Sequence, residues 1–166
     1  MTLAKLNRLD RDAFVEAVGR VFEHSPWVAA RAWGKRPFAT LDALHAAMTA
    51  ELRAASEDER LALIRAHPDL GTRARMSASS TSEQAGAGLD ALAPAEFERL
   101  LRLNAAYRGK FGFPFLYAVR GRSKHDILNA LETRLSAARD EELAEALRQI
   151  DRIARVRLEQ TIQEQP

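Results

Sequence analysis

DEELAEALRQIDRIARVRLEQT, residues 140–161, reads as one long amphipathic helix, with Asp140 as its N-cap and Thr161 near its end. Wound at about 100° per residue from Ile150, it puts Leu143, Leu147, Ala154 and Leu158 within about 80° on one side, and Ala146 and Ile153 within about 60° on the other. Arg157 falls about 20° from Ile150, inside this apolar stripe, while Arg148, Arg152 and Arg155 point to the opposite face. A guanidinium among core positions has to be paired or bind a ligand, because an unpaired buried charge is costly. Two readings stand level: a ligand-binding arginine, or a structural salt bridge to an acidic residue such as Glu83 or Asp69.

The same helical period recurs upstream. Asp10 is placed to cap a helix with Phe14, Val18, Val21 and Phe22 on one face, ended by Ser25-Pro26. A short helical turn runs from Trp27 to Trp33 and stops at Gly34, and Thr40 caps a helix carrying Leu41, Leu44, Met48 and Leu52. Ser56 and Glu59 have capping-box spacing, and their helix runs to His67, where Pro68 disfavours further helix. Residues 69–79 lack apolar periodicity and read as a loop, after which Ser80 and Glu83 restart a helix that ends among Gly86 and Gly88. Pro94 opens a helix with Phe97, Leu100, Leu101, Asn104 and Tyr107 facing inward and Gly112 closing it. Phe111 to Val119 is apolar and extended, broken from helix by Pro114, and Ser123 with Asp126 starts another helix. The expectation is an all-α, single compact domain of about seven to eight helices spanning residues 1–166.

Composition narrows the chemistry. The 166 residues suffice for one domain with an adequate core. No cysteine is present, which excludes disulfides, cysteine-ligated metals and thiol nucleophiles. Lys and Arg number 25 against 23 Asp and Glu, interspersed along the chain, so nucleic-acid binding is not indicated. Without a long apolar run or an N-terminal signal-like segment, a cytoplasmic protein is the simplest expectation and no membrane is implied.

His67 is the first candidate for chemistry. An imidazole titrates near neutrality, with an unperturbed pKa of about 6.5, and His-Pro at a helix end directs it toward a loop. The competing reading is a C-terminal histidine that complements the helix dipole. His24, His45 and His125 are weaker candidates, and no histidine pair has zinc-ligand spacing. Ser80-x-x-Glu83 is first of all a capping box, but Gln84 follows it, and a helix N-terminus also suits an anionic or carbonyl-bearing ligand. Asp69 reads as a loop cap, while Trp27, Trp33, Phe111, Phe113 and Phe115 read as core. The extended strip beside Gly112 and Pro114 can offer backbone hydrogen bonds to a planar ligand. Gly86-x-Gly88 is not a phosphate loop, since no Lys-Ser/Thr follows it.

Taken together, Arg36-Pro37-Phe38, Ala66-His67-Pro68-Asp69-Leu70, Ser80-x-x-Glu83-Gln84-x-x-Ala87-Gly88-Leu89, Asn104-x-x-Tyr107-x-x-Lys110-Phe111-Gly112-Phe113-Pro114-Phe115 and Ile153-Ala154-x-x-Arg157-Leu158 run the length of the chain. In that order they resemble the 2-oxo-4-hydroxy-4-carboxy-5-ureidoimidazoline (OHCU) decarboxylase family, which makes (S)-allantoin in urate catabolism. The resemblance implies an all-α, cofactor-free and usually dimeric enzyme. It implies that His67 is the catalytic acid/base and that Glu83 and Arg157 complete the polar site. It also implies substrate contacts from Pro68, from Ser80, Thr81, Ser82, Glu83 and Gln84, and from the strip Phe115, Leu116, Tyr117, Ala118 and Val119, the strip acting largely through its backbone.

Two other readings compete. One is a non-catalytic helical binding module in which Arg157 is part of a structural ion pair. The other is a hydrolase acting on a neighbouring ureido compound, against which stands the lack of a metal or nucleophile constellation in the sequence.

Overall fold

Local capping chemistry starts most of the helices. In the computed structural model, which describes residues 1–71 and 83–163, the helices are α1 (Leu3–Asn7), α2 (Arg11–Val18), α3 (Trp27–Ala32), α4 (Leu41–Ala54), α5 (Glu57–Ala66), α6 (Pro94–Phe111), α7 (Lys124–Arg134) and α8 (Arg139–Thr161). A 3-10 turn, Trp33–Lys35, continues α3, and residues 83–86 form a further helical turn. The Asp10 carboxylate accepts from the Ala13 amide at 2.9 Å, and the Thr40 hydroxyl from the Ala43 amide at 3.0 Å. Ser56 with Glu59 and Ser123 with Asp126 close reciprocal capping boxes. Pro94 sits at the first position of α6, and Gly112 ends it at φ 78°, a left-handed conformation that favours glycine. Among the described residues the fold is all-α with no strand; Thr2 and Gln163 form an isolated parallel bridge.

The chain divides into two compact units. The first comprises Met1–Leu63 and the chain from Asp151. Within it α3 packs on α2 and α4, and Phe14, Val18, Phe22, Val28, Met48 and Leu158 are buried. Arg36 ties the 3-10 turn to the end of α1, donating to the carbonyls of Trp33, Asn7 and Leu9 at 2.8, 2.9 and 2.6 Å. Arg31 donates to Glu59 at 2.5 Å, and this bond, helped by the Ser56 amide, holds the Glu59 carboxyl down at about 2.

The second unit is Ile64–Ile150. Here α6 packs on α7, and the buried Tyr107 ring lies 4.5 Å from Phe111, 6.1 Å from Phe113 and 5.4 Å from Phe115, measured between centroids. All three contacts are tilted or edge-on, the geometry that aromatic quadrupoles favour.

Several elements differ from the sequence expectation. α1 is additional, capped by Thr2 and carrying only Leu3 and Leu6 inward, too short for periodicity to mark. α2 ends at Val18, so Val21 and Phe22 reach the core from the turns after it. α8 starts at Arg139 because the Glu141 carboxylate captures the Ala138 amide at 3.2 Å, which makes Asp140 a first-turn residue and not the cap. Leu101 is 49% exposed, since it lies about 100° around α6 from Leu100 while Asn104 and Tyr107 stay close to that face. Trp27 and Trp33 are half-buried, each with an arginine over its ring, Arg31 at 4.5 Å and Arg36 at 4.2 Å.

Candidate functional site

His67 follows the last residue of α5, and its amide closes the helix on the Ile64 carbonyl at 3.2 Å. Of the four histidines it alone is buried, at 6% exposure. His24 and His125 are exposed, and the half-buried His45 holds its Nε2 2.8 Å from the Asp151 carbonyl.

Pro68 stops the helix, and the three residues after it are each fastened to another part of the same unit. The Asp69 carboxylate accepts from Arg108 at 2.9 Å, the Leu70 carbonyl from the buried Asn104 amide at 2.9 Å, and the Gly71 amide donates to Gln84 Oε1 at 2.7 Å. The Asp69–Arg108 pair is partly exposed and contributes little by itself. The buried Asn104 bond weighs more, because breaking it would strand a desolvated carbonyl. Gly71 cannot be replaced cheaply: its φ is 70°, and a Cβ there would sit 2.3 Å from Leu100 Cδ2.

The last of these bonds joins two stretches singled out in the sequence. Gln84 is buried in the helical turn 83–86, next to the half-buried Glu83, and reaches the loop that follows His67. With Oε1 committed to Gly71, the other end of the Gln84 amide is a hydrogen-bond donor. Ser80, Thr81 and Ser82 lie outside the described residues.

The strip Phe115–Val119 runs without helix or ladder pairing, its residues Phe115, Leu116 and Val119 buried and Tyr117 and Ala118 half-buried. Not all of its backbone is open to a ligand, as the sequence reading had allowed. The Leu116 carbonyl accepts from Arg134 Nη1 at 2.7 Å, and the Ala118 amide donates to Gln149 Oε1 at 2.9 Å. Behind it Arg134 forks onto the buried Glu142 carboxylate at 2.8–3.1 Å, and the Tyr107 hydroxyl donates to the same carboxylate. Burial, then the bond to Glu142, pushes the Tyr107 phenol well above its ordinary value, so it stays a protonated donor. Arg134, Glu142 and Gln149 escaped the sequence reading because they stand among ordinary helix charges.

In the other unit Arg157 is buried, 3% exposed, as the helical wheel required. Its Nη1 donates to Glu23 Oε2 at 2.9 Å and to the Val21 carbonyl at 3.3 Å. Glu23, itself 2% exposed, is an acidic partner of Arg157 that the sequence reading does not name, and Asp69 meets Arg108. A lone carboxylate after Val21-Phe22 is a signal only in retrospect. Among the described residues no group of three or more His, Asp or Glu is arranged to hold a metal ion.

A family model described as OHCU decarboxylase matches residues 7–159. The chain is 47% identical over 160 residues to a 2-oxo-4-hydroxy-4-carboxy-5-ureidoimidazoline decarboxylase of Halalkalicoccus jeotgali, covering 96% of this chain and 91% of that protein. It is 46% identical over 158 residues to the enzyme of that name from Haloferax volcanii, covering 95% and 94%. Among solved structures it is similar to an (S)-allantoin synthase, with a TM-score of 0.78 and 34% identity over 98% of this chain and 54% of the other.

Proposed function

Since the chain belongs to the OHCU decarboxylase family, we propose how its own residues divide the work of that reaction. The protein is a carboxy-lyase of urate degradation that converts OHCU to (S)-allantoin. The bond from the ring carbon to the carboxylate breaks, CO2 leaves, and the electron pair is delocalised onto the adjacent imine. The neighbouring ureido-bearing carbon, which becomes the stereocentre, then takes up a proton, and the 4-hydroxyl gives up its own to become the ring carbonyl of the product. The substrate supplies its own electron sink, so the reading needs no cofactor, and the protein's task is to orient the carboxylate and manage protons.

His67 is the acid/base in this reading, relaying a proton from the 4-hydroxyl or delivering one to the carbon; delivery from one face sets the (S) configuration. The observation that carries it is that the single buried histidine sits in a loop fastened at three successive residues, which suits a group that must hold its direction. Glu83 accepts ureido N–H bonds or tunes His67, and the donor end of Gln84 holds a substrate carbonyl. Pro68, Ser80, Thr81, Ser82 and the strip from Phe115 to Val119 complete the substrate contacts, and Arg157 binds a carbonyl or carboxylate of the substrate. For Arg157 a second reading has an observation of its own: the buried pair with Glu23 is what a purely structural arginine would make.

We further read residues 1–166 as one domain, supported by a single family model spanning residues 7–159. It would act as a homodimer in the cytoplasm, which rests on the family resemblance; no helix among the described residues is long and apolar enough to cross a membrane.

The assay follows freshly generated OHCU, made from urate with urate oxidase and 5-hydroxyisourate hydrolase. Adding this protein is expected to accelerate both the loss of OHCU absorbance and the release of CO2. Equal decay with and without it would reject the assignment.

A further inference from the structure

A half-buried arginine and a buried glutamine grip the strip at residues 116 and 118. The Leu116 carbonyl is held by Arg134 at 2.7 Å, and the Ala118 amide by Gln149 at 2.9 Å. In an extended chain the backbone groups of residues i and i+2 point to one edge and those of i+1 to the other. The two anchors have that i, i+2 spacing, which in an extended chain assigns the carbonyl and amide of Tyr117 to the opposite edge.

Both anchors are braced from behind. Arg134 is fixed by its fork onto Glu142, which also accepts from Tyr107, and its guanidinium lies 4.5 Å over the Phe115 ring. Gln149 is 3% exposed, and its Nε2 donates to Glu145 Oε1 at 2.6 Å, which leaves Oε1 as the end that faces Ala118. A planar guanidinium satisfies the carboxylate and the carbonyl together, which a lysine ammonium could not do with the same geometry.

We propose that Arg134 and Gln149 are positioning residues for the decarboxylation: by pinning Leu116 and Ala118 they set the register of the strip and present the Tyr117 backbone edge to the planar ring of the substrate. The inference rests on the reading that the strip contacts OHCU. Neither side chain is required to touch substrate; each acts through the backbone it holds.

Gln149→Met removes the acceptor while keeping side-chain length. Its KM for OHCU is expected to rise roughly tenfold, the scale of one buried amide left unsatisfied, with kcat within about twofold and the melting transition retained. The double variant Glu145→Gln/Gln149→Glu exchanges the two groups, restores an acceptor to the Ala118 amide and a donor to residue 149, and is expected to bring KM back toward the parent. Should Gln149→Met not fold, Arg134→Lys carries the same test, with the same expected rise in KM. A folded variant with parental KM, or a defect that the exchanged pair leaves unrepaired, overturns the proposal. Failure of the parent protein to consume OHCU in the same assay would instead strike the decarboxylase reading, so the two failures are told apart.

Discussion

His67→Asn is expected to lower kcat/KM for OHCU by about 10²–10⁴-fold, the range that a positioned general acid or base supplies, while the helical fold persists. The fold should survive because His67 comes after the end of α5, where asparagine is well tolerated, and the bonds of Asp69, Leu70 and Gly71 that fasten the loop remain in the variant. Far-UV circular dichroism and a melting curve separate lost chemistry from lost structure. Near-parental turnover by the folded variant would mean that the imidazole serves only as a helix-end group.

Glu23→Ala is expected to destabilise the protein by about 3–5 kcal/mol, because it leaves the Arg157 guanidinium in a site where both partners are almost fully desolvated. Urea denaturation at neutral pH measures this directly, and a loss no larger than that of an ordinary surface substitution would contradict the buried pair. The double variant Glu23→Leu/Arg157→Met carries the argument further. Replacing a whole buried pair by apolar groups is often neutral or stabilising, so most of the lost stability should return. Activity of the double variant should be lost if Arg157 binds substrate, and should be retained along with stability if its role is structural. This contrast decides between the two readings of Arg157.

How far each feature was legible in the sequence follows from the range of the interaction behind it. Capping by Asp10, Thr40, Ser56 and Ser123 depends on residues three apart, so spacing alone placed those helix starts. Arg157 stood out because a 23-residue helix samples its apolar face many times over, whereas the five residues of α1 sample it twice. Partners across the fold are another matter. Glu23 lies 134 residues from Arg157, and Gln149 is 31 residues from the Ala118 amide it holds. No local pattern encodes either pairing. The strip itself was visible through Pro114 and its aromatic run, but which of its backbone groups are already engaged required the positions of α7 and α8.

The central claim is that this chain removes CO2 from OHCU and that protonation is confined to one face by His67. The most direct measurement is circular dichroism of the allantoin formed when urate is oxidised in the presence of urate oxidase and 5-hydroxyisourate hydrolase. With the parent protein, the account predicts a rapidly growing signal of the (S) enantiomer, and with folded His67→Asn only the slow racemic background. Allantoin that is racemic with the parent protein, or equally enriched in (S) with the variant, would contradict it.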